Sequence, residues 1–227
     1  MTIILASVSN QGHVASSDGR TISGSNIVSE NTNKTFSLYN GKIRGSYAGM
    51  MPFGRDTCYG AKEPRDYIID ISNKICPHSI NEFAEFLKNE LLVIIQKLSV
   101  NEWPVKDRKL CVFLTGGKSL NNEDYVIYEI YFRPNTENTD IIATIDGPQG
   151  PDKNKLLKRC HSSSSEALNA ALCFLDSHES SSDLSIVEIL KLHDQALSLA
   201  VAEAEKNNKG NNSSCGGNHY FQPDTVL

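Results

Sequence analysis

Two hairpin patterns occupy the first 49 residues and constrain how the chain begins to fold. Ile3-Ile4-Leu5-Ala6 is an apolar run, Ser9-Asn10-Gln11-Gly12 supplies turn residues, and Gly12-His13-Val14-Ala15 climbs toward Asp18. A hairpin centred near Asn10-Gln11 pairs residues whose numbers sum to about 21, which returns Asp18 to a place opposite Ile3 and beside Thr2. A second hairpin runs from Lys34 through Tyr39, turns at Asn40-Gly41 and returns from Lys42 to Gly49. Lys34 opens that hairpin, where a long cationic side chain reaches the Asp18 carboxylate and the Thr2 hydroxyl together.

The chemistry implied by this register is specific. With Met1 removed, Thr2 carries a hydroxyl nucleophile and a free α-amine, and an α-amine with a pKa of roughly 7.7–8.0 acts as a base near neutral pH. A cation at Lys34 lowers the cost of deprotonating both groups. Each residue alone has an ordinary reading. A small second residue permits methionine removal, Asp18-Gly19 makes a turn, and Lys34 is a solvated lysine. Their joint register is what favours function.

The order Thr2, Asp18-Gly19-Arg20, Ser23-Gly24, Lys34 and Ala48-Gly49 resembles the amino-terminal segment of proteasome β-type subunits and of the bacterial peptidase that forms double rings with an ATPase. The likeness is good over residues 2–49, extends to 164–218, and is weak between. It implies a threonine-type amino-terminal-nucleophile (Ntn) hydrolase: an α+β fold in which two antiparallel sheets, covered by helices, form a four-layer αββα sandwich. It implies Thr2, Asp18 and Lys34 as catalytic residues, the Gly49 amide in the oxyanion hole, and a peptide or unfolded-protein substrate. A homo-oligomeric ring, with an ATPase unfoldase partner in the bacterial branch, follows from the same resemblance.

Two places depart from the family pattern. Where the family has an Asp, two residues and then Ser-Gly-Gly, this chain has Asn212-Ser213-Ser214-Cys215-Gly216-Gly217, so Asn212 and Cys215 are supporting residues of altered chemistry. The family also places a serine between glycines after the strand that precedes its third helix, a position expected here near Asp146 or Gly147. Arg20 is expected to support the site by holding a carbonyl or an acid. Thr21, Thr32 and Met50-Met51 are expected to shape a mid-sized apolar specificity pocket. Three functional readings stand: a threonine peptidase, a non-catalytic ring subunit of the same fold, and a small-amide hydrolase or acyl transferase.

At 227 residues and 39% hydrophobic content the chain suits one domain over 1–227, with loop insertions expected at 52–64 and 150–161. A net charge of −5 argues against nucleic acid and against an anionic membrane surface. The six cysteines lack Cys-x-x-Cys spacing and the six histidines lack ligand spacing, so neither a disulfide framework, a metal nor a cofactor is expected. Ile3 to Ala6 is too short for a signal-peptide core and no run reaches membrane-spanning length, which points to the cytoplasm.

Helices are expected over Asp66–Ile75 and Ser79–Leu98, the second opened by a Ser79/Glu82 capping box. Two more are expected, one from Ser163/Glu166 to Leu175 and one from Ser185/Glu188 toward Lys206. Strands are expected at Leu110–Thr115, Asp124–Phe132, Ile141–Ile145 and His219–Phe221, with Gly116-Gly117 and Asn121-Asn122 at a turn. The basic run Lys153, Lys155, Lys158 and Arg159 reads as a solvated insertion.

Overall fold

The computed structural model describes residues 2–23, 26–49, 63–97, 109, 111–118, 124–135, 140–152, 155–162, 164–178, 181–207 and 215–223. They form a mixed α and β structure with antiparallel sheets and, among the described residues, four helices. β1 (Ile3–Ser9) and β2 (Gly12–Ser17) make the first hairpin, with Ile4 opposite Ser17 and Ser9 opposite Gly12. Those pairs have the register expected from the turn at Asn10-Gln11. β3 (Thr21–Ser23) and β4 (Asn26–Ser29) form a two-stranded ribbon. β5 (Thr35–Leu38) and β6 (Ile43–Gly49) make the next hairpin, whose turn holds Tyr39, Asn40 and Gly41 at φ of 52°, 56° and 82°. Asn-Gly lowers the steric penalty of that left-handed backbone.

α1 (Pro64–Ser72) begins on a proline, whose missing N–H is no loss in a first helical turn. α2 (Ile80–Ile95) is capped by Ser79, whose Oγ accepts the Glu82 N–H at 3.1 Å. β7 (Cys111–Lys118), β8 (Tyr125–Pro134) and β9 (Ile141–Gln149) complete a sheet of order β5-β6-β7-β8-β9. β10 (Leu157–Ser162) precedes α3 (Ser165–Ser177), α4 (Ile186–Asn207) and β11 (Tyr220–Pro223), and the second sheet has the order β10-β1-β2-β11.

Alternation along the strands decides which layer each side chain joins. Ile3 and Leu5 of β1 pack with Ala171 and Leu175 of α3 and Leu197 and Ala200 of α4. Ile4, Ala6 and Val8 face the other way, onto Ala48, Val112, Leu114 and Ile127 of the five-stranded sheet. The outer face of that sheet packs Phe36, Phe113, Ile130 and Phe132 against Phe83, Leu87, Leu91 and Ile94 of α2. β1 is therefore buried on both faces, which is why its sequence reads as nearly continuous apolar residues. No helix among the described residues is long and apolar enough to cross a membrane.

Several sequence expectations are corrected. Gly116 and Gly117 lie inside β7, opposite Arg44 and Ile43, and not at a turn. A Cβ on Gly117 would meet the Lys42 carbonyl oxygen at 2.2 Å, so this glycine serves a close backbone approach. The expected loop at 150–161 contains most of β10, which pairs along β1 from Val8↔Leu157 to Ile3↔Ser162. Of the basic run, Lys155 is exposed as expected, whereas Lys158 and Arg159 are not solvated: Lys158 Nζ donates to the Leu175 carbonyl and Arg159 to Gln149. The cap of α3 is Ser164, one residue later than expected, and it accepts the Ala167 N–H at 3.2 Å. Residues 52–62, Leu98, Asn121-Asn122, Lys153 and Ser163 lie outside the described residues, while Pro64 belongs to α1.

Candidate active site

Thr2, Asp18 and Lys34 stand at element ends, where backbone turns bring them together. Thr2 immediately precedes β1, Asp18 follows β2 and Lys34 precedes β5, and they are 6%, 0% and 4% exposed. The hairpin register makes the first contact: the Asp18 N–H donates to the Ile3 carbonyl at 3.1 Å, and the Ile3 N–H donates to Asp18 Oδ1 at 3.2 Å. Thr2 is thus held one peptide unit from the carboxylate. Lys34 reaches across from the other sheet, and its Nζ donates to Asp18 Oδ1 at 3.1 Å and to the Arg20 carbonyl. The Gly216 N–H donates to Asp18 Oδ2 at 2.9 Å. Asp18 therefore accepts three donors, one of them charged, which is how a fully buried carboxylate is tolerated.

Burial pulls the Lys34 ammonium below its ordinary pKa, and the Asp18 carboxylate opposes that pull. Burial likewise raises the Asp18 carboxyl above the usual range, opposed by Lys34 and by the Gly216 and Ile3 amides. The result is a paired cation with little solvent to screen it, on a carboxylate that also holds the Ile3 N–H.

Gly49 ends β6 at the same end of the sheet. The Tyr47 N–H donates to the Lys34 carbonyl at 3.1 Å, so Gly49, two residues further along β6, lies beyond Lys34's level. It is exposed and has φ of +105°. Arg20 Nη1 donates to the Cys215 carbonyl at 2.9 Å and its Nε to Glu30, so it holds one carbonyl and one acid. Cys215 is buried, with its Sγ 3.7 Å from Ser162 Oγ. Thr21 Oγ1 donates to Thr32 Oγ1 at 2.9 Å, so those two pocket candidates meet. Met1, Met50, Met51 and Asn212 lie outside the described residues.

One placement is corrected. The strand before the third helix is β10, not β9, so the position falls at the end of β10, whose last residue is Ser162. Asp146 and Gly147 lie within β9, where Asp146 pairs with Glu129 of β8. Ser162 pairs with Ile3, its hydroxyl accepts the Ser164 N–H at 3.2 Å, and its sequence signal was the serine run ahead of a helix. The Gly216 amide, which donates to Asp18, is a further contact that the sequence does not announce. A backbone donor has no signature in residue type beyond the adjacent glycines.

A second constellation has the pairing of a nucleophile and a base. His193 of α4 lies between Ser7 of β1, with Oγ 2.7 Å from Nε2, and Ser16 of β2, with Oγ 2.8 Å from Nδ1. All three are sealed beneath α4, and burial lowers the His193 pKa to about 3. This group ties the helix to the sheet and offers no access for a substrate. Among the described residues, no cluster of three or more His, Cys, Asp or Glu side chains is arranged to hold a metal ion. No protein-family model matches the chain, and no curated protein matches it.

Proposed function

We propose that the protein is a threonine-type peptidase of the proteasome-like Ntn hydrolases, built on the four-layer αββα fold. The observation that carries this reading is the buried Lys34–Asp18 pair, fixed by the Ile3 and Gly216 amides directly beside Thr2. The packing of helices on the outer face of each sheet supports the fold assignment.

In this reading the bond preceding Thr2 is cleaved, leaving a free α-amine. The Thr2 hydroxyl attacks the scissile carbonyl while the α-amine, through a water, takes the hydroxyl proton. Lys34 lowers the cost of the developing alkoxide, Asp18 holds Lys34 in place, and the Gly49 N–H stabilises the tetrahedral oxyanion. The amine returns its proton to the leaving amino group, an ester remains on Thr2, and water hydrolyses it by the same route. The substrate is a peptide or unfolded protein, processed in the cytoplasm within a homo-oligomeric ring.

Intact mass and covalent labelling test the reading together. Active protein is expected to lack Met1 and to take a peptidyl β-lactone on Thr2. A preparation that hydrolyses peptides with methionine still attached refutes the mechanism. The non-catalytic alternative is favoured by one observation: Cys215 stands where the family has serine, and its contact with Ser162 is a long sulfur one at 3.7 Å. A mature Thr2 that never takes the probe selects that alternative.

A further inference from the structure

The turn that carries Gly216 is clamped, and Glu30 is the fixed point of the clamp. Arg20 Nε donates to Glu30 Oε1 at 3.1 Å and Oε2 at 2.9 Å, while Nη1 takes the Cys215 carbonyl at 2.9 Å. The Gly216 carbonyl accepts the Gly19 and Arg20 N–H groups at 3.1 and 2.8 Å, and the Asn218 N–H donates to the Glu30 carbonyl at 3.0 Å. The fit has no slack. A Cβ on Gly216 would lie 2.3 Å from Arg20 Cζ, and one on Gly217 would lie 2.1 Å from the Glu30 carbonyl oxygen.

We infer that Glu30 is a positioning residue for the Thr2 site: by fixing the Arg20 guanidinium it keeps the Gly216 N–H on Asp18 Oδ2, and through Asp18 it holds Lys34. Its catalytic consequence rests on the peptidase reading; its structural consequence does not. A guanidinium is a rigid fork of donors, so anchoring one arm orients the others. Glu205 of α4 also meets Arg20, at 3.3 Å from Nη2. Without Glu30 the Nε arm loses its two-oxygen anchor, and the Nη1 arm is no longer aimed at the Cys215 carbonyl. Gly216 then loosens and Asp18 loses a donor that favours its ionised form. Among the described residues, the titratable and charged groups facing Asp18 and its partners are Lys34, the neighbouring Cys215 thiol, and Arg20 with Glu30 and Glu205.

Amide hydrogen exchange at Gly216, with the pH dependence of Thr2 labelling by a peptidyl β-lactone, tests this in the full chain. Glu30→Ala is expected to speed Gly216 exchange about tenfold, the loss of one charge-assisted hydrogen bond, while the β1–β2 amides keep their rates. The acid limb of labelling moves to higher pH, because a less stabilised carboxylate protonates sooner. Glu30→Gln, which keeps an acceptor for Nε, restores both readouts. Arg20→Lys, which keeps the charge without the fork, reproduces the alanine phenotype and serves if that variant folds poorly. Unchanged Gly216 exchange in Glu30→Ala and Arg20→Lys overturns the inference, as does labelling that falls in amplitude without a shifted limb. Wild-type protein that never labels, with Gly216 exchange still accelerated in Glu30→Ala, refutes the peptidase reading and leaves the positioning role standing.

Discussion

Lys34 is bound by the burial of its surroundings to a partner it cannot lose without consequence. Removing one member of a buried ion pair strands the other, typically at about 3–5 kcal/mol. Lys34→Ala is therefore expected to lower the denaturant midpoint strongly and to abolish Thr2 labelling. Thr2→Ala removes the hydroxyl to which the peptidase reading assigns the attack but no buried charge, so it should lose labelling while Tm stays within a few degrees. A normal labelling rate in either variant would show that the roles are misassigned. Gly217 makes a purely steric prediction: with φ of +76° and a carbonyl oxygen where its Cβ would be, Gly217→Ala should destabilise by about 1–3 kcal/mol. At this scale the sequence was informative about Thr2, Asp18 and Lys34 because their spacing encodes a register. It was silent about the Gly216 amide, because every residue except proline offers the same N–H.

The elements were legible where local chemistry announces them. Ser185 and Glu188 form a reciprocal box, with Ser185 Oγ accepting the Glu188 N–H at 3.3 Å and Glu188 Oε2 accepting the Ser185 N–H at 2.8 Å. Ser185→Ala is expected to cost about 1 kcal/mol, a Tm drop of about 2–4 °C in a domain of this size, read by thermal melting. No change in Tm would mean that packing alone holds the start of α4. β10 was missed because Lys158, Arg159 and His161 give it the composition of a loop. It is a strand because β1 offers it a full antiparallel edge. Gly116-Gly117 misled for the converse reason: glycine marks turns on average, but here it admits His13 and the Lys42 carbonyl.

Two fully buried neutral histidines make the whole molecule acid-sensitive. His13 lies between the sheets and His193 lies beneath α4, and burial lowers each pKa to about 3. Between pH 6.5 and about 3 the unfolded chain binds protons at these sites and the native one does not, so stability falls as pH drops through that window. At pH 5 the loss is about 2 kcal/mol for each histidine. Asp18, raised above its usual value, acts in the opposite direction and offsets part of this at the acid end. Neither ring nitrogen of His13 has a hydrogen-bond partner among the described residues, so His13→Leu should keep neutral-pH stability within about 1 kcal/mol. It should also remove about a third of the acid slope in melts from pH 7 to 5, because His161, lowered by burial to about 4, adds a share similar to that of His193. An unaltered slope would show that the acid sensitivity arises elsewhere.

The sequence by itself determined the two opening hairpins, the caps of α2 and α4, and the return of Asp18 to the Ile3 amide, where Lys34 meets it. All of these follow from turn chemistry and from side-chain periodicity over a few tens of residues. Only the tertiary structure decided that Gly216 reaches back 198 positions to Asp18. It alone also showed that Glu30 and Arg20 hold that turn and that β10 completes a sheet. Those choices depend on which edges and donors remain unpaired once the layers have packed, and no local stretch of chain contains that information.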